Sequence, residues 1–115
     1  IRNIMAKRLS KALRGKRRWI GIQISADISS RGDAKSVIET IASELDLSNN
    51  LKLVDFDPQV LSNGCGTAII QVKLTDYVKL REYLSGDNSF NQTGISSLTS
   101  SGKIRLVRER LSMVE

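Results

Sequence analysis

Residues 19–28 read Trp19-Ile-Gly-Ile-Gln-Ile-Ser-Ala-Asp-Ile28, and this stretch decides the fold. Ile20, Ile22, Ile24, Ala26 and Ile28 fall on one side of an extended chain; Trp19, Gly21, Gln23, Ser25 and Asp27 fall on the other. Side chains alternate across a strand, so this period of two predicts a strand with one face on a core. The same rule applied to Thr67–Leu74 puts Ala68, Ile70, Val72 and Leu74 inward and Thr67, Ile69, Gln71 and Lys73 outward. Leu51–Phe56 reads as a strand stopped by Asp57-Pro58, and the glycine-rich turn around Cys65 makes it a hairpin with the strand that follows.

Between these strands the period changes. A helix is predicted from Asp33 to about Leu47, burying Val37, Ile38, Ile41, Ala42 and Leu45, with Asp33 as its N-cap and Ser36 with Glu39 as a competing capping box. Ser48-Asn49-Asn50 breaks it. Thr75 is expected to cap a short helix from Asp76 to about Leu84, followed by a loop over Ser85–Asn91 and a weak strand over Thr93–Thr99. Ser100 or Ser101 then caps a last helix through Leu111, with Ile104, Val107 and Leu111 facing in and Arg105, Arg108 and Arg110 facing out. The order β-α-β-β-α-β predicts an α+β, ferredoxin-like (split βαβ) antiparallel sheet. Helices are expected on one sheet face, leaving the other open to RNA, to a second copy or to another subunit.

At 115 residues the chain fits one domain. The expected division is a basic N-terminal arm over 1–18 and a single domain over 19–115. Its charge is uneven. Residues 1–18 hold eight Lys and Arg and no acid, residues 19–102 hold six bases and ten acids, and residues 103–115 hold four bases and two acids. A mildly acidic body with two basic ends suggests a polyanionic partner, although a merely solvated arm would look the same. Ile1, Met5, Leu9 and Leu13 (or Ala12) recur at helical spacing, and Lys7, Lys11, Arg14 and Arg18 form a basic stripe on another side, so the arm is predicted to be a helix ended or hinged at Gly15.

Composition narrows the chemistry. There is no histidine, which excludes His-dependent acid–base and metal chemistry, and the single Cys65 excludes an internal disulfide and a cysteine zinc site. No apolar run approaches the length of a membrane span, and the single cysteine suggests a cytoplasmic protein. Gly102-Lys103 is not a phosphate loop: Ser97 stands where its first glycine belongs, and Ile104 follows the lysine. The free N–H groups of the helix start and Lys103 can still hold a phosphate. Asp55 and Asp57 share a strand face but lack further acids at useful spacing for a metal site. Cys65, with no basic neighbour, reads as a small turn residue. Trp19 either stacks on a base or buries against the arm or a partner subunit. With aromatics at only 4% and none in the third strand, RNA binding would work through charge and shape more than through stacking.

Four segments carry a family resemblance. They are Arg17-Arg18-Trp19-Ile20-Gly21-Ile22; Val54-Asp55-Phe56-Asp57-Pro58; Gly66-Thr67-Ala68-Ile69-Ile70 followed by Asp76-Tyr77-Val78; and Ser101-Gly102-Lys103-Ile104-Arg105 with the basic helix after it. In this order the chain resembles the archaeal and eukaryotic ribonuclease P protein component 2 family. It departs from that family's pattern late in the third strand, at Gln71 and Val72. The resemblance implies a non-catalytic subunit of an endoribonuclease whose RNA removes the 5′ leader from precursor tRNA. The protein itself would bind no cofactor, with Mg²⁺ held by the RNA. The implied partners are the catalytic RNA, precursor tRNA indirectly, and the barrel-shaped component 3 protein, with no membrane. The residues expected on RNA are Lys7, Arg8, Lys11, Arg14, Lys16, Arg17, Arg18, Trp19, Lys103, Arg105, Arg108 and Arg110. Two other readings compete: a general RNA- or DNA-binding module working through the arm, and a ferredoxin-like regulatory or interaction domain with a ligand pocket or a homodimer seam.

Overall fold

The computed structural model describes residues 16–47, 51–85 and 87–114. The predicted arm helix lies outside them. The elements follow the order β1 (Arg17–Ile24), α1 (Arg31–Glu44), β2 (Lys52–Asp57), β3 (Gly66–Lys73), α2 (Leu74–Leu84), α3 (Asp87–Thr93), β4 (Ile95–Ser101) and α4 (Ile104–Ser112). The four strands form one sheet in the order β2-β3-β1-β4, and every neighbouring pair is antiparallel. The molecule is therefore α+β, and the predicted hairpin is β2–β3. No helix among the described residues is long and apolar enough to cross a membrane.

The alternation of β1 builds the main core. Ile20, Ile22 and Ile24 are fully buried. They join Ala68, Ile70 and Val72 of β3, Leu53 of β2 and Ile95 of β4 against Ala34, Ile38 and Ile41 of α1 and Leu80 and Leu84 of α2. Side chains packed this way on interdigitating apolar faces contribute about 1.5–3 kcal/mol each by burial. Tyr83 closes the rim, donating to Glu44 Oε2 at 3.1 Å. Desolvation first, and the hydrogen bond and charge of Glu44 after it, raise its phenol above the ordinary value.

Several boundaries differ from the predictions, each for a local reason. Strand β1 begins at Arg17, two residues before the predicted start at Trp19. It also ends at Ile24, where its pairing with Gly66 of β3 and Ile95 of β4 runs out. The chain then turns, with Ile28 N–H donating to Ser25 O, so Ala26 is exposed rather than inward. Ser30, not Asp33 or Ser36, caps α1: its Oγ accepts from Asp33 N–H at 3.1 Å, leaving Asp33 in the first turn, where a carboxylate suits the helix dipole. The helix stops before Leu47, because Asp46 adopts φ 53° while Asp46 N–H donates to Ser43 O and Leu47 N–H to Ala42 O. That pattern is a Schellman ending. Helix α2 starts at Leu74 directly out of β3, without a side-chain cap from Thr75. Leu74 N–H instead donates to Lys16 O at 3.1 Å.

The predicted loop after α2 contains α3. Its residues are turn formers, but their hydroxyls bond locally: Thr93 Oγ1 donates to Ser89 O and Ser89 Oγ to Ile95 O. Gly94, at φ 80°, ends the helix with its N–H on Phe90 O. Strand β4 runs on through Ser101, so neither Ser100 nor Ser101 is the N-cap of α4; Lys103 holds that position. The register steps from Gly21–Thr99 to Ile22–Ser97, which leaves Leu98 as the extra residue of a bulge, 37% exposed.

The second sheet face is not open, which corrects the expectation of helices on one face only. Gly21 lies between Ile20 and Ile22 and so points away from the main core. A Cβ there would stand 2.9 Å from Val107 Cγ1 and 3.0 Å from Leu111 Cδ2. Helix α4 thus rests on this face, and the missing side chain is what lets it approach. Val107 is fully buried, and so is Ile69, the cross-strand partner of Gly21 that alternation had placed outward. The face predicted to pair with another copy is occupied in part by the chain's own C-terminal helix.

Candidate nucleic-acid interface

The strand register decides which basic residues meet. Trp19 pairs with Ser101, so the start of β1 lies beside the end of β4 and the turn into α4. Lys16, Arg17 and Arg18 thereby come next to Gly102, which directly precedes Lys103 and the last helix in the chain. Arg17 also pairs with Lys73, and Lys52 with Gln71, so the same end of the sheet gathers further cations. The opposite end carries Asp57, paired with Thr67, and the exposed Asp27 after β1.

Lys16, Arg17, Arg18, Trp19 and Gly102 line a recess of about 400 Å³. Arg18 is held in it by its neighbours. Its guanidinium lies 5.8 Å from the centre of the Tyr77 ring, and the Tyr77 hydroxyl is 2.7 Å from Ser100 Oγ. A Cβ at Gly102 would collide with the same guanidinium. Among the described residues, Lys16, Arg17 and Arg18 have no carboxylate within ion-pair distance. Asp76, in the first turn of α2, is buried.

The arginines of α4 divide. Arg108 Nε and Nη2 donate to Asp55 Oδ2 and Oδ1 at 2.8 and 3.2 Å, a two-pronged clamp between α4 and β2. The hydrogen bond and charge of Asp55 raise the guanidinium above its ordinary value. Arg110 Nη1 donates to Thr99 Oγ1 at 3.1 Å and to Ser100 O at 3.0 Å. These two side chains fasten α4 across the sheet, whereas Lys103 and Arg105 are exposed at its start. Lys7, Arg8, Lys11 and Arg14 lie outside the described residues. Trp19 is half-buried at the edge of the recess.

Other candidates resolve locally. Asp55 shares its face with Asp57, as the alternation implied, but its carboxylate is taken by Arg108. Among the described residues no three His, Cys, Asp or Glu side chains gather as metal ligands. Cys65 is buried in the hairpin turn, where its N–H donates to Asn63 Oδ1 at 3.0 Å. A groove of about 430 Å³ runs between the hairpin and α4, lined by Asp55, Leu61, Ile69, Arg108 and Leu111 among others.

Local sequence pattern missed the contact of Tyr77 with Arg18, that of Gly102 with Arg18, and the Asp55–Arg108 clamp. Each depends on a partner far away in the chain, and only the strand order would have pointed to it. Against known proteins, no family model, no curated protein and no solved structure matches this chain.

Proposed function

We propose that this chain is a ferredoxin-like RNA-binding subunit of ribonuclease P, which supports the catalytic RNA in removing the 5′ leader of precursor tRNA and does no chemistry itself. The ferredoxin-like reading is supported by the connections. Strands β1 and β2 flank β3 and are joined by α1; β3 and β4 flank β1 and are joined through α2; and α1 and α2 pack on one face. The observation that carries the RNA reading is the pairing of Trp19 with Ser101, which brings Lys16, Arg17 and Arg18 beside Gly102, where the second basic segment begins. A surface with unneutralised cations on rigid elements suits a polyanion. The assignment to ribonuclease P in particular rests on the order of the four sequence segments, from Arg17 to Arg110.

The test is reconstitution. The chain is expected to bind ribonuclease P RNA, to bind the barrel-shaped component 3 protein, and to raise cleavage of precursor tRNA by the assembled enzyme. With about six phosphate contacts, RNA affinity should fall roughly a thousandfold between 50 and 200 mM salt. Binding that ignores salt, or an assembly equally active without this chain, overturns the proposal.

A further inference from the structure

We infer that the recess at the start of β1 holds one backbone phosphate of an unpaired RNA nucleotide, with the neighbouring base stacked on Trp19. This rests on the RNA-binding reading above and deepens it.

The recess has the parts such a site needs. Three cations line it and no carboxylate among the described residues neutralises them, in contrast to Arg108, which is clamped by Asp55. A recess so charged is completed by an anion with several acceptor oxygens, and a phosphate accepts the forked donors of a guanidinium. Arg18 is oriented before any ligand arrives. The Tyr77 ring beneath it and the Tyr77–Ser100 hydrogen bond fix its place, so little side-chain entropy remains to be lost. One wall is Gly102, whose lack of a side chain makes the room that the guanidinium itself occupies.

The second part is Trp19. Adjacent residues of a strand point to opposite faces, so Arg18 and Trp19 flank the end of β1 from two sides while lining one recess. A cation and an indole that border the same opening match a phosphate and its neighbouring base. Only an unpaired nucleotide has a base face free to stack on a side chain; in a helix the faces are occupied by neighbouring pairs. The ligand class is therefore single-stranded RNA in preference to duplex.

Trp19 is the single tryptophan of the chain, so intrinsic fluorescence reports on this site alone. The full chain is titrated with hexauridylate, with an abasic ribose-phosphate hexamer, with an RNA duplex and with inorganic phosphate, while a filter assay measures binding independently. Hexauridylate is expected to quench Trp19 to saturation. The abasic hexamer and the duplex should bind in the filter assay without comparable quenching, and phosphate alone should leave the emission unchanged. Gly102→Val keeps the net charge but pushes the Arg18 guanidinium out of its place, and it should weaken hexauridylate binding about tenfold while duplex binding holds. Trp19→Leu should weaken hexauridylate five- to a hundredfold, the range of one lost base–aromatic stack. It serves as the second probe should Gly102→Val lower the melting temperature. Salt-sensitive binding of hexauridylate with no quenching and no effect of either substitution overturns the inference and leaves the RNA-binding reading standing. Absence of RNA binding in the filter assay at low salt overturns both.

Discussion

The two faces of the sheet are built on different principles. One is a dry aliphatic core in which Ile20, Ile22, Ile24, Ile70 and Val72 meet α1 and α2. The other is a lighter contact in which α4 rests on Gly21 through Val107 and Leu111 and is pinned at its sides by Arg108 on Asp55 and Arg110 on Thr99. The first face holds the domain together. The second sets the position of α4, whose start carries the exposed Lys103 and Arg105. The main core and the seat of α4 are thus divided between opposite sides of one sheet, and the candidate interface lies at its end.

The largest test of this division is Ile22→Ala. Ile22 is fully buried in the main core, so its truncation is expected to cost about 2–5 kcal/mol, read as a lower denaturant midpoint for the whole domain. A cost near zero would mean that the aliphatic face is not the principal core. Gly21→Val is next. Its added carbons enter a space where even a Cβ stands 2.9 Å from Val107, and overpacking of this kind costs about 1–3 kcal/mol. The loss should concentrate on α4: hydrogen exchange should speed up at Val107 and Leu111 while Ile38 and Ile41 in α1 stay protected. Uniform loss of protection would show that the two faces fold as one unit. Smallest is Asp55→Asn, which removes the carboxylate from a clamp exposed to solvent. It should loosen α4 slightly at low ionic strength and have no effect at about 1 M salt, where charges are screened within about 3 Å. An effect that survives such salt would assign the clamp a role beyond charge attraction.

The legible part of the fold was the part with strict periodicity. Alternation over 19–28 and 67–74 identified the central strands and most of their core residues, because every second side chain must take the same face, although β1 ends at Ile24 and Ile69 is buried on the second face. Helix ends were less legible, since Ser30, Asp33 and Ser36 all offer suitable caps and the tertiary path selects Ser30. Helix α3 was hidden by residues that favour turns when no neighbour fixes their hydroxyls. Of the candidate interface, the cations were legible as charge, but their separation into clamps and free groups was not. Arg105 and Arg108 look alike in sequence; only the register that brings Asp55 under α4 distinguishes them.

By itself, then, the sequence determined an α+β chain with a hydrophobic, alternating centre, no histidine chemistry and positive charge at both ends. Those properties follow from composition and from the geometry of single strands and helices. Only the tertiary structure decided that the second face is covered in part and that Arg17 and Arg18 lie beside Gly102. The pairing of Trp19 with Ser101 and the gap at Gly21 are contacts between residues far apart in the chain, and no local pattern encodes such a contact.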